Sequence, residues 1–185
     1  MKAPSIPGII LITGPKHSGK TSAGRVLAEL LGAGFTDLDE LIERQTGKSP
    51  RTLYKEGPGV FRSAETQALA SLLREVSPEG GPKLVAAGGG LIDNPEAREL
   101  LRAVPMRVYL EVSADTAWER ISAASLRTGE LPPFLNTENP RETHAALHTR
   151  RGAAYREFAS LTITAEGKSP EDIGREIAAM IRKHT

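Results

Sequence analysis

Ile9 to Ile12 is an unbroken aliphatic run, the pattern of a short strand covered on both faces. Gly19 to Leu31 then repeats apolar residues at helical spacing, with Ala23, Val26, Leu27, Leu30 and Leu31 on one face and Gly32 as the stop. A second strand is expected at Gly34-Phe35-Thr36, and Leu38, Leu41 and Ile42 predict a short helix ending near Gly47. Phe61 to Glu75 reads as a helix, Lys83 to Ala87 as a third strand stopped by Gly88-Gly89-Gly90, and Pro95 to Ala103 as a helix with proline in its first turn. Met106 to Val112 is a fourth strand, after which Ser113 caps a helix carrying Ala117, Trp118 and Ile121. Leu161 to Thr164 is a fifth strand and Pro170 to Lys183 a closing helix. Strand and helix alternating five times predict an α/β sandwich around a mostly parallel sheet. One stretch has no period. Ser125 to Pro140 is polar and rich in Pro, Gly and Asn, and a loop of that length in a compact domain is functional or disordered.

Composition narrows the class. At 185 residues the chain fits one domain, and 39% hydrophobic with 25% charged residues excludes wholesale disorder. Lys plus Arg is 24 and Asp plus Glu is 23, so no global field invites nucleic acid or an acidic membrane. Aromatics at 4% are too sparse for a base-stacking strip. Without cysteine there is no disulfide, thiol nucleophile or Cys-based zinc site. Gly8 to Ile12 is far shorter than the roughly 20 residues of a membrane span, and Met1 to Pro7, carrying two prolines, does not look like a signal peptide. The expectation is a cytoplasmic protein, taken as a monomer.

Gly14-Pro15-Lys16-His17-Ser18-Gly19-Lys20-Thr21 satisfies G-x-x-x-x-G-K-[S/T], placed between the first strand and the first helix. Average residue usage produces such an octet in roughly one chain in a hundred of this length. Its chemistry depends on the spacing. The glycines let backbone N–H groups turn toward phosphates, the helix directs its positive end at the same charge, Lys20 reaches the terminal phosphates and the Thr21 hydroxyl can ligate Mg²⁺.

Other candidates have bland readings beside the functional ones. Asp37 and Asp39 follow the second strand; one can hold Mg²⁺ through water while the other meets an acceptor hydroxyl, or Asp39 merely caps the next helix. Arg62 and Glu65 share a helix face and can pair. The triple glycine allows close backbone approach to a ligand, or is only a flexible turn. Arg150 and Arg151 near Tyr155 are cationic forks, or a solvated face. His144 and His148 are four apart, but no third ligand is evident and zinc is not expected. Trp118 is expected in the core, and Arg182-Lys183-His184 as solvated charge.

In order and spacing, the Gly14–Thr21 loop, Phe35-Thr-Asp-Leu-Asp39, Phe61-Arg62-x-x-Glu65, Gly88-Gly-Gly90 and Arg151-x-x-x-Tyr155 resemble the shikimate kinase family. The resemblance runs from about Gly8 to Pro170. It implies a single kinase domain with a five-stranded parallel sheet of order 2-3-1-4-5 and a mobile lid at residues 125–140. The implied reaction is Mg²⁺-dependent transfer from ATP to the shikimate 3-hydroxyl, giving shikimate 3-phosphate and ADP on the way to aromatic amino acids. Gly14, Pro15, Lys16, His17, Ser18, Gly19, Lys20, Thr21 and Ser22 would hold the nucleotide, with Arg120 by the adenine. Thr21 and Asp37 would hold Mg²⁺. Asp39 would bind the shikimate hydroxyls, including the attacking one. Arg62 and Arg151 would clamp the carboxylate, with Glu65 orienting Arg62, and Gly88, Gly89 and Gly90 would approach substrate and γ-phosphate.

Two positions depart from the family pattern. The lid usually carries Arg-Pro-Leu, and here Leu131-Pro132-Pro133-Phe134-Leu135 puts Pro132 where the arginine belongs. Arg127 or Lys16 would have to supply that cation. His17 stands where the family loop generally has glycine. A kinase for another small hydroxy acid, or a nucleotide-binding module with little turnover, therefore stays open beside the shikimate reading.

Overall fold

Five short strands form one parallel sheet, with the run Ile9–Thr13, buried at every residue, at its centre. The computed structural model describes residues 8–75 and 81–183, so the segment from Met1 to Pro7 and His184 lie outside the described residues. In chain order the elements are β1 (Ile9–Thr13), α1 (Lys20–Leu31), β2 (Gly34–Asp37), α2 (Leu38–Thr46), α3 (Pro50–Glu56), α4 (Pro58–Glu75), β3 (Lys83–Ala86), α5 (Pro95–Leu101), β4 (Met106–Glu111), α6 (Ala114–Thr128), α7 (Pro140–Phe158), β5 (Leu161–Thr164) and α8 (Pro170–Lys183). The strand order is β2-β3-β1-β4-β5, as expected. All pairs are parallel, with Ile10 opposite Leu84 on one side and Met106 on the other.

β1 shows why both faces must be covered. Ile10 and Ile12 pack with Leu27, Val108, Ile173 and Ile177 under α1 and α8. Ile9 and Leu11 pack with Leu38, Ile42, Leu69 and Leu72 under α2 and α4. Each fully buried aliphatic side chain contributes roughly 1.5–3 kcal/mol, so the alternating faces of one strand tie both layers to it. That leaves the C-terminal ends of β1, β2 and β3 as the edge where ligands collect in such sheets.

Several boundaries differ from expectation. Gly19 lies outside α1 as its N-cap, at φ 95° in the left-handed region. α6 continues through Thr128 to Gly129, which ends it at φ 77°. The irregular stretch is therefore 129–139 rather than 125–140, with a 3-10 turn at Pro133–Leu135 that buries Leu135. The sequence pattern does not reveal α3, because seven residues that bury only Leu53 show no period; its signals are confined to its ends, Ser49, whose side chain accepts from Thr52 N, with Pro50 at the start and Gly57 at the stop. Trp118 is only half-buried, tilted against His144 with 5.5 Å between ring centroids.

Candidate active site

The phosphate loop closes on itself. Ser18 N donates to Pro15 O at 3.2 Å, and Lys20 Nζ reaches back across the loop to the same carbonyl at 2.7 Å. A side chain at Gly14 would stand 2.6 Å from Leu110 O, so only glycine fits there. α1 begins with no side-chain cap and no acidic residue in its first turn, which leaves its N–H groups and positive dipole end for an anion. Ser18 Oγ is also buried, with no hydrogen-bond partner among the described residues. Burial lowers the Lys20 ammonium to about 8, against the opposing pull of Asp39. His17 sits at φ 60°, a conformation that costs a non-glycine residue energy. Burial and then the charges of Lys16, Lys20, Arg127 and Arg120 lower its ring to about 4, so it is neutral at pH 7.

Asp37 and Asp39 divide their work differently from expectation. Asp37, not Asp39, caps α2: its Oδ1 accepts from Asp39 N at 3.0 Å, while its Oδ2 accepts from Thr21 Oγ1 at 2.7 Å. Asp39 is thereby free of capping, and burial followed by the charge of Asp37 raises its carboxyl above the usual range. The Asp39 Oδ1 would lie 3.2 Å from a Cβ at Gly88, and Glu65 Oε1 3.7 Å from the same point. Glu65 does not pair with Arg62; Asn94 Nδ2 donates to its Oε2 at 2.9 Å, and its Oε1 is buried with no partner among the described residues. Burial pushes Glu65 up to about 7 despite that hydrogen bond.

A cavity of about 500 Å³ joins these groups. Its wall includes Pro15, Lys16, His17, Gly19, Lys20, Thr21, Asp37, Asp39, the three glycines and Arg151. Gly14 and Ser18 are buried beneath the loop, and Ser22 is exposed on α1. Arg62 is exposed on α4 and off the cavity wall, although its neighbour Phe61 lies on it. Arg127 is exposed in the last turn of α6, also off the wall. Arg120 Nη1 donates to His17 O at 3.0 Å, tying α6 to the loop.

The lid segment closes the far side, together with residues to which sequence reasoning gave no site role. Pro132, Pro133 and Phe134 line the cavity, and the Arg151 guanidinium lies 5.3 Å from the centre of the Phe134 ring. Glu130 ties the same segment to α3, accepting from Arg51 Nη1 at 2.5 Å and Lys55 Nζ at 3.4 Å. Arg51 and Tyr54 of α3 also face the cavity, as do His144 and His148 of α7. Asp93 pairs with Arg150 and Arg151. Asn94, in Asn-Pro ahead of a helix, carried the signal of a cap, and a cap it proves to be.

A parallel sheet ordered 2-3-1-4-5, with the phosphate loop running from its central strand into α1, is the architecture of the small phosphate-loop kinases. Comparison with known proteins narrows this class. The chain belongs to the shikimate kinase family, whose model (SKI: Shikimate kinase) matches residues 16–182. The shikimate kinase of Marinomonas sp. (strain MWYL1) is 36% identical over 179 residues, covering 96% of this chain and 93% of that protein. That of Geobacter sulfurreducens is 37% identical over 187 residues, covering 100% and 96%. The solved structure of shikimate kinase from Acinetobacter baumannii in complex with shikimate superposes with TM-score 0.84 at 34% identity, covering 98% of this chain and 96% of that one.

Proposed function

We propose that this chain transfers the γ-phosphoryl group of ATP to the 3-hydroxyl of shikimate, giving shikimate 3-phosphate and ADP. The observation that carries the reading is a cavity that holds Lys20 and Thr21 of the phosphate loop, the Asp39 carboxylate and the Arg151 guanidinium together. Lys20 and the N–H groups of the loop bind the phosphates. Arg151 binds the acceptor carboxylate, a task that suits a guanidinium fork. Asp39 aligns the attacking hydroxyl and accepts its proton; its raised affinity for protons brings it nearer to that role. Catalysis is then chiefly positioning and charge neutralisation.

Mg²⁺ fits the residues at hand. Thr21 Oγ1 and Asp37 Oδ2 lie 2.7 Å apart beside the phosphate loop, and no group of three or more His, Asp or Glu able to hold a metal occurs among the described residues. A hard cation held by one carboxylate, one hydroxyl, nucleotide oxygens and water matches that donor set. When bound it would neutralise charge on the transferred phosphoryl group. With Pro132 in place of the lid arginine, the cationic charge comes from the loop's own surroundings, where Lys16, Lys20, Arg120 and Arg127 all act on His17. Residues 129–139 serve as the lid that excludes water, all groups being drawn from one chain.

A coupled assay of ADP release with Mg·ATP, with and without shikimate, tests the reading, with the phosphorylated product identified by mass. Shikimate-dependent release is expected. Asp39→Asn should lower kcat at least a hundredfold while ATP binding, measured by calorimetry, stays within about threefold. Unchanged turnover in that variant would remove Asp39 from the chemistry.

A further inference from the structure

Arg151 lies on the cavity wall, and Asp93 grips it from behind. Arg151 Nε donates to Asp93 Oδ2 at 2.8 Å, and Nη2 lies 2.8 Å from the same oxygen. Arg150 takes the rest of the carboxylate, with Nη1 2.8 Å from Oδ1 and Nη2 3.0 Å from Oδ2. The side chain of Asp93 is 13% exposed and that of Arg151 19%, whereas Arg150 is 60% exposed and forms the outer member. Asp93 itself does not line the cavity. Burial works against its charge, but hydrogen bonds and charge from Arg150 and Arg151 outweigh it and hold the carboxyl below the ordinary range.

The support for Asp93 is rigid. It ends a 3-10 turn at Leu91–Asp93, where its N–H donates to Gly90 O at 2.9 Å and Leu91 and Ile92 are buried. The Tyr155 hydroxyl bridges the glycine segment and this turn, donating to Gly88 O at 3.3 Å and accepting from Ile92 N at 3.4 Å. The carboxylate is thus fixed relative to the glycine turn. One edge of the Arg151 guanidinium is engaged with it, Phe134 lies over a face, and the Nη1 end makes no hydrogen bond among the described residues. Two arginines against one carboxylate leave a net positive charge for an incoming anion.

We infer that Asp93 is a positioning residue for the acceptor: it holds the Arg151 guanidinium by its Nε edge so that the Nη1 end receives the substrate carboxylate. This rests on the shikimate kinase reading for the identity of the acceptor. An Asp93 that instead occupied the carboxylate subsite would compete with substrate, but it sits behind the wall and grips the edge away from the free end. A held guanidinium binds a carboxylate more tightly than one that must be ordered on binding.

Steady-state kinetics of Asp93→Asn in the full chain tests the inference. The amide keeps the shape, loses the charge, and should raise the KM for shikimate about tenfold while the KM for ATP and kcat stay within about threefold. Asp93→Glu, which keeps the charge but displaces it, should fall between the two and serves if the asparagine variant does not fold. Arg150→Gln, removing only the exposed partner, should stay within about twofold. In an Arg151→Lys background the Asp93→Asn effect should shrink below twofold, because the edge it grips is gone. An unchanged or lower KM for shikimate, parallel rises in both KM values, or the full effect persisting in the Arg151→Lys background overturns the inference. A wild-type chain that releases no ADP with shikimate overturns the kinase reading instead. The ¹⁵N–¹H signal of Arg151 Nε then decides: slow solvent exchange that becomes fast in Asp93→Asn supports the grip, and an unaltered signal refutes it.

Discussion

Three adjacent glycines should respond to the same methyl group in three different ways. None of Gly88, Gly89 and Gly90 has a left-handed φ, so alanine is conformationally admissible at each and the neighbours decide the outcome. At Gly89 a Cβ would stand 2.9 Å from Lys16 N and 3.2 Å from Pro15 C, both backbone atoms of the phosphate loop. Neither can swing away, so the loop must shift by about half an ångström. Such overpacking costs roughly 1–3 kcal/mol. In a chain of this size that lowers Tm by about 2–4 °C per kcal/mol. Phosphate donors displaced by that distance leave the hydrogen-bonding range, so the KM for ATP should rise about tenfold or more in Gly89→Ala. At Gly88 the nearest atom is Asp39 Oδ1 at 3.2 Å, the end of a side chain, so Gly88→Ala should spare Tm and ATP binding and lower kcat. At Gly90 the nearest atom is Arg151 Nη2 at 3.5 Å, an ordinary contact, so Gly90→Ala should keep kcat and both KM values within about threefold. Thermal melts and kinetics with each substrate varied read all three variants. A Gly90→Ala loss as large as that of Gly89→Ala, or a Gly89→Ala enzyme with normal Tm and KM for ATP, would refute the steric argument.

His17→Gly should raise Tm by roughly 1–3 °C: relief of a left-handed residue gives about 1–2 kcal/mol, partly offset by about 0.4–1 kcal/mol of unfolded-chain entropy. Because the ring is neutral at pH 7, a fall in Tm would mean that its packing outweighs the strain. Glu65 gains its proton more readily when folded, at about 7, so its contribution to stability is full below the unfolded pKa and is lost as pH rises through about 7. Wild type should therefore lose Tm between pH 5 and 8 relative to Glu65→Gln, and parallel melting curves of the two proteins against pH would contradict this. Asp37→Asn keeps a competent helix cap, so Tm should move little, while the Mg²⁺ concentration for half-maximal activity should rise at least tenfold; an unaltered Mg²⁺ titration would remove Asp37 from the metal site.

Local pattern alone was enough for the layers of this protein. The apolar run at Ile9–Ile12 could only be a strand covered on both faces, and the octet after it required a turn that binds phosphate and leads into a helix. These signals survive in sequence because they depend on neighbours within one or two turns of chain. The division of labour at the site did not survive in that way. That Asp37 serves both Thr21 and the cap of α2, that Glu65 bonds Asn94 rather than Arg62, and that Asp93 grips Arg151 are contacts across 16, 29 and 58 positions. The lid is the clearest case. Read locally, Leu131 to Leu135 only lacks an arginine. In the folded chain its prolines and Phe134 line the cavity over Arg151, and Glu130 ties the segment to α3, a helix too short to announce itself. Side-chain partners at such separations are chosen by how the layers pack, which tertiary structure alone decides.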